Sequence, residues 1–206
     1  MGLVYGILYL FLEAFPVSFG EQRGWNEGVS ALPFLSIMLG VFGAGLYLSI
    51  YARVVYAPKI QKTGGKVIPE DRLPPMAIGG AAFTIGLFWW AWSSFPGVHK
   101  LWVSQLFAGI PIGFGINVIF VQGLSYIIDC YKWHANSAIS ASTFFRSLLG
   151  AGFPLFATAM YHKLGVPWAT SLLAFLTLVL FPVPILFRVY GRRIRDWSKY
   201  APKLGF

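Results

Sequence analysis

Two apolar runs, residues 101–128 and 135–160, flank a polar turn made of Asp129, Cys130, Tyr131, Lys132, Trp133 and His134. Each run is long enough to cross a bilayer, for which about 20 mostly apolar residues suffice. Each also carries side chains that lipid solvates poorly. These are Gln105, Asn117, Gln122 and Tyr126 in the first run, and Asn136, Ser140, Thr143, Arg146 and Ser147 in the second. A polar residue at membrane depth normally faces protein or a water-filled cavity. The hairpin is therefore expected to line an internal space that further spans enclose. That pattern points to a polytopic all-α membrane protein, with transport as the first functional expectation.

Four more apolar runs, 3–18, 29–51, 76–92 and 168–187, bring the expected count to six spans. Between the second and third lies a long polar loop, 52–73, and a basic tail covers 188–206. Composition agrees with burial in lipid. The chain is 57% hydrophobic and 11% charged, against about 25% charged residues in an average soluble domain. A single cysteine excludes an internal disulfide. His99, His134 and His162 are scattered near span ends without metal-ligand spacing, and no cofactor is expected. A net charge of +9 would suit nucleic acid if it gathered on one surface. Here it follows membrane topology instead. Of sixteen Lys and Arg, six lie in the 52–73 loop and the 129–134 turn (Arg53, Lys59, Lys62, Lys66, Arg72, Lys132) and six in the tail (Arg188, Arg192, Arg193, Arg195, Lys199, Lys203). Only Arg23, Lys100 and Lys163 fall on the opposite side, and Arg146 lies within a span. The excess places both termini in the cytoplasm.

Several local patterns define candidate sites. Tyr5, Tyr9 and Glu13 recur at spacing four, on one face of a helix. Glu13 is the only carboxylate well inside an apolar run, which suits it to take a proton or a substrate cation; a structural hydrogen bond near Pro16, or a place at the outer interface, is the plainer reading. Pro16 should bend or end the first span. Gly40, Gly43 and Gly45 allow close helix contact in the second span, and Pro74-Pro75 suits the opening of the third. Gln105, Gly109, Gly113 and Asn117 also repeat at four; the glycines read as a packing seam and Asn117 as a substrate contact. Asn136, Ser140, Thr143, Ser147, Gly150 and Pro154 form one small or weakly polar face, either a tight contact or a cavity wall. A kink is expected between Gly150 and Pro154. Asp129 and Arg146 are the candidate gate pair, with two unrelated interfacial charges as the plainer alternative.

Four passages carry a family resemblance: Leu8-Tyr-Leu-Phe-Leu-Glu-Ala-Phe-Pro16, Pro69-Glu-Asp-Arg-Leu-Pro-Pro75, Tyr126-Ile-Ile-Asp-Cys-Tyr131, and Arg146-Ser-Leu-Leu-Gly-Ala-Gly-Phe-Pro-Leu-Phe-Ala157. Together they resemble the C-terminal half of fungal major facilitator superfamily transporters, in the drug:proton antiporter branch of multidrug and polyamine exporters. The resemblance implies twelve spans in two six-span halves with substrate bound between them. These six spans would then be the seventh to twelfth, with Met1 inside the seventh. It further implies a proton-coupled exporter of small amphipathic or cationic compounds, in the plasma membrane, whose substrate and proton pathway runs past Glu13, Tyr5, Tyr9, Asn117, Gln122 and Tyr126. Gate or structural roles fall to Asp129, Arg146, Gly150, Pro154 and Gln105. Gln105 stands where first halves of the family carry an arginine, so that arginine's proton-relay chemistry does not transfer.

The implied partners are the missing N-terminal six-helix half, the lipid bilayer, protons and a small-molecule substrate. Two other classes remain: a transport-inactive fragment or membrane interaction partner, and a membrane-embedded enzyme. For the enzyme, no nucleophile, base and orienting residue converge on one face.

Overall fold

The structure, a computed structural model, describes residues 1–65, 68–95 and 102–197. Lys66, Lys100, Lys199 and Lys203, used in the charge argument above, lie outside the described residues, as does most of the loop expected between the third and fourth spans. The α-helices are α1 (Gly2–Leu12), α2 (Glu27–Ala31), α3 (Phe34–Tyr51), α4 (Ala57–Lys62), α5 (Leu73–Ser93), α6 (Trp102–Tyr131), α7 (Ala135–Gly152), α8 (Pro154–Leu164), α9 (Val166–Leu180) and α10 (Pro182–Trp197). Two π-helical segments, Pro16–Glu21 and Ala52–Tyr56, and two 3-10 turns, Pro69–Arg72 and Lys132–His134, join them.

Five stretches are long and apolar enough to cross a membrane: Gly2–Glu21, Gly28–Lys62, Pro69–Ser93, Trp102–Gly152 and Val166–Gly191. The fourth has 51 residues, more than twice the roughly 20 that one crossing takes. It is folded at the 3-10 turn Lys132–His134, beside which Lys132 adopts a left-handed φ of 43°. The two arms, α6 and α7, run back along each other. The Arg146 guanidinium lies 5.6 Å from the Phe120 ring, and these residues are equally far from the turn along their arms.

Helix α6 packs against both α3 and α5; α5 also packs on α9, and α1 lies along α7. Between apolar helices in lipid, close contact depends on small residues. At Gly113 a side chain would run into the backbone carbonyl of Ile37, and at Gly40 into that of Ile110, so α3 and α6 meet backbone to backbone. Gly109 faces Ser36 in the same seam. Gly43 and Gly45, expected in this contact, face open space instead.

An aromatic cluster fixes the end opposite the basic loop. Phe15 and Trp90 rings stand 4.4 Å apart, with Phe11 5.0 Å and Phe19 5.9 Å from Trp90. All four side chains are fully buried.

Several helices outrun their apolar stretches. Pro16 does not end the first span. It opens the wider π-helical segment that carries the helix on to Glu21. Proline at the first position of a helical segment loses no needed donor. The second helix continues beyond Tyr51 as far as Lys62, so the expected loop 52–73 is largely helical at its start. Arg, Lys and Gln are good helix formers once outside the apolar core. Where a kink is expected between Gly150 and Pro154, α7 and α8 meet at Phe153, whose backbone stays helical and donates to Leu149. Phe181, before Pro182, likewise stays helical and donates to Thr177.

Candidate transport cavity

One face of the bundle, built from α1, α6 and α7, is polar and left uncovered. On α7, Asn136, Ser140 and Ser147 are exposed and Thr143 is half-buried. On α1, the Tyr5 and Tyr9 hydroxyls lie 3.0 Å apart and their rings meet edge to face at 4.8 Å. Tyr5 also meets Phe120 of α6 edge to face at 5.6 Å. The absence of a side chain at Gly150 admits the Tyr5 ring, which would lie 2.9 Å from a Cβ there. Over these rings rests Arg146, its guanidinium carbon 5.2 Å from the Tyr5 centroid and 5.6 Å from that of Phe120. Pro154 sits half-buried at the start of α8.

Arg146 forms no ion pair among the described residues. A guanidinium near mid-membrane costs about 2.5–3.5 kcal/mol even on insertion scales. Cation–π contacts in a partly wet site return about 0.5–1 kcal/mol each. Two such contacts offset part of the cost and leave the charge without a counter-ion.

Glu13 is half-buried at the end of α1, two turns beyond Tyr9's partner contact with Tyr5. Tyr161 is fully buried, and neither its hydroxyl nor that of the buried Thr170 forms a hydrogen bond of good geometry. Of the shared face, Tyr5 and Tyr9 join Arg146.

The other sequence candidates fall at separate places. Gln105 is fully buried and donates from Nε2 to the Ser18 and Ser94 hydroxyls, each at 2.8 Å. It ties three segments together away from the open face. Asn117 Nδ2 donates to the Val41 carbonyl at 3.1 Å, bridging α6 to α3. Gln122 is buried with Oε1 unpartnered. Tyr126 meets Phe187 edge to face at 6.3 Å and lines an apolar cavity of about 460 Å³ with Met76, Ile127, Tyr131 and Ala138. Among the described residues no cluster of His, Cys, Asp or Glu has the makings of a metal site.

The expected pairing of Asp129 with Arg146 is not formed. Asp129 Oδ2 instead accepts from Arg72 Nε at 2.9 Å and from the Tyr56 hydroxyl at 3.3 Å. The Arg72 guanidinium also stacks over the Tyr56 ring at 4.0 Å. Arg146 sits more than three helical turns along α7 from the hairpin, while Asp129 lies at the hairpin itself. Beside this cluster, Lys59 Nζ pairs with Asp71 at 2.7 Å. The basic end is therefore clasped by contacts among the second helix, the 3-10 turn and α6. Arg72 and Tyr56 have no spacing that marks them as partners of Asp129; Arg72 stands in the Pro69–Pro75 passage, which is the one signal that singled it out.

The structure is thus a helical bundle with five stretches long and apolar enough to cross a membrane, an uncovered polar face and a clasped basic end. Sequence comparison shows its relatives. Over 204 residues the chain is 53% identical to a citrinin biosynthesis cluster MFS transporter of Monascus ruber, covering 98% of this chain and 40% of the relative. It is 51% identical over 201 residues to an MFS-type transporter of Penicillium crustosum, covering 98% of this chain and 41% of the relative. It is 45% identical over 203 residues to a major facilitator superfamily multidrug transporter of Aspergillus fumigatus, covering 98% of this chain and 33% of the relative. Nearly the whole chain is thus similar to part of these major facilitator superfamily transporters, and it spans between a third and about two fifths of their length. No protein-family profile matches the chain, and no solved structure does.

Proposed function

We propose that the chain forms six spans, the C-terminal half of a proton-coupled exporter of small amphipathic compounds in the drug:proton antiporter branch. The two arms of the Trp102–Gly152 stretch count as separate crossings in this reading. Both termini face the cytoplasm of a plasma-membrane protein, where the Lys and Arg excess sets them. The partner is an N-terminal six-span bundle, and substrate moves as the two bundles rock about a midplane site. Glu13 takes up the proton, cationic compounds meeting the same carboxylate. Tyr5, Tyr9 and Asn117 border the substrate path, with Gln122 and Tyr126 further toward the basic end. The Arg72–Asp129–Tyr56 cluster closes the cytoplasmic end, with Gly150 and Pro154 at the hinge of the α7–α8 span.

The observation that carries this reading is the uncovered polar face. Apolar side chains cover the lipid side of α3, as at Leu39, Phe42 and Leu46, whereas α7 presents Asn136, Ser140 and Ser147. A polar stripe facing lipid is costly, so the face belongs against water or a second bundle.

Single cysteines at Ser140 and Ser147, in a chain with Cys130→Ala, test it. Joined to the complementary portion of a relative in vesicles, both positions should react with a membrane-impermeant thiol reagent, and the rate should change several-fold or more when a proton gradient is imposed. A cysteine at Phe42 should stay unreactive. Equal protection at all three positions would reject a water-lined cavity.

A further inference from the structure

The cluster around Arg146 carries the means to recognise one kind of chemical group. Arg146 is half-buried, and its guanidinium has no acidic partner among the described residues. It is held in place rather than left to wander. The Tyr5 and Phe120 rings support it from α1 and α6, and Gly150 lets Tyr5 approach α7 closely enough to do so. The ionisable groups beside it are Tyr5 and Tyr9, and Asp129 is engaged by Arg72. Of the two tyrosine hydroxyls, 3.0 Å apart, one donates to the other. The second retains a proton to donate to a third group.

Such a site offers a charged planar fork, a neutral O–H donor beside it, and aromatic faces. An acceptor-only group fits all three: a carboxylate takes paired N–H bonds from a guanidinium and a further bond from a hydroxyl. A cation meets like charge here. We propose that Arg146, Tyr5, Tyr9 and Phe120 form the subsite for the acidic end of an aromatic organic anion. This rests on the transporter reading and narrows it, by setting an acid-binding level on the same face as Glu13 and distinct from it. The aromatic body of the compound would lie along the Tyr9 and Phe120 rings, where edge-to-face and stacked contacts are available.

Binding to the purified chain, in nanodiscs of zwitterionic lipid, tests this without requiring export. The probes are naphthoate, naphthamide and naphthylmethylammonium, which share a ring system and differ in charge. Titration calorimetry with empty nanodiscs subtracted gives the affinities. Naphthoate should bind about tenfold or more tighter than naphthamide, and the ammonium compound weakest, since the site adds a charge-assisted contact for the anion alone. Arg146→Gln should weaken naphthoate about tenfold while leaving naphthamide within about twofold. Tyr9→Phe, which keeps the ring, should weaken naphthoate about threefold through the lost hydroxyl. If wild-type chain binds naphthoate and naphthamide alike, the proposal is overturned whether or not any variant folds. It is equally overturned if folded Arg146→Gln keeps full naphthoate affinity. Should the binding result hold while export by the joined protein fails, the subsite stands and only its use in transport is rejected.

Discussion

Asp129 accepts from two donors that reach it from separate elements, Arg72 and Tyr56, and all three are at least partly shielded from solvent. A carboxylate in that position depends on both. Hydrogen bonds to charged groups are worth about 1.5–3 kcal/mol, so Arg72→Gln should lower the stability of the purified chain by about that amount. Asp129→Asn should cost a similar amount, because it strands the guanidinium. The double variant should lose about 1 kcal/mol less than the sum of the two, as residues in one network couple. Thermal unfolding followed by tryptophan fluorescence reads all three, and strictly additive losses would mean that the pair contributes nothing of its own. None of this could be read from spacing. Arg72 and Asp129 are 57 positions apart, and the charge of Arg146, inside an apolar run, drew the pairing argument to the wrong partner. Gln105 was legible as a polar group needing protein, but its partners Ser18 and Ser94 were not, since each looks like an ordinary span-end serine.

At the scale of elements, apolar run length located the five membrane-length helical stretches, because lipid exposure and helix formation coincide across the membrane core. It failed at the ends. Hydropathy marks where lipid stops, whereas Arg53, Lys59 and Lys62 prolong the second helix in water. Glycine spacing was informative only where a facing helix exists. Gly113 and Gly40 sit against backbone of the opposite helix, while Gly43 has nothing within 4 Å. These glycines should therefore respond in opposite directions. Gly113→Ala and Gly40→Ala should each destabilise the chain by about 1–3 kcal/mol, the usual cost of overpacking. Gly43→Ala should be neutral or stabilise by up to about 1 kcal/mol, since alanine is the better helix former. The same unfolding measurement decides it. Destabilisation by Gly43→Ala equal to that of Gly113→Ala would contradict the α3–α6 seam described here.

At the scale of the whole molecule, the buried seams and the uncovered face serve different ends. Helices α3, α5, α6 and α9 pack on one another, with glycines at the α3–α6 seam, and the Phe15–Trp90 cluster ties the first helical stretch to α5. Helices α1 and α7 turn their polar residues outward from these helices. Rocking transport needs a rigid bundle on each side of the substrate, and the proposed function assigns this chain to one side. The direct measurement is efflux of a fluorescent amphipathic compound from cells stripped of their own exporters. The chain is expressed alone, then together with the portion of the Monascus ruber relative that lies outside the matched region. Each piece alone should leave efflux at background. The two together should restore it, and a protonophore should abolish it. Efflux by the chain alone, or background efflux when both pieces are inserted in the membrane and associated, would contradict the account.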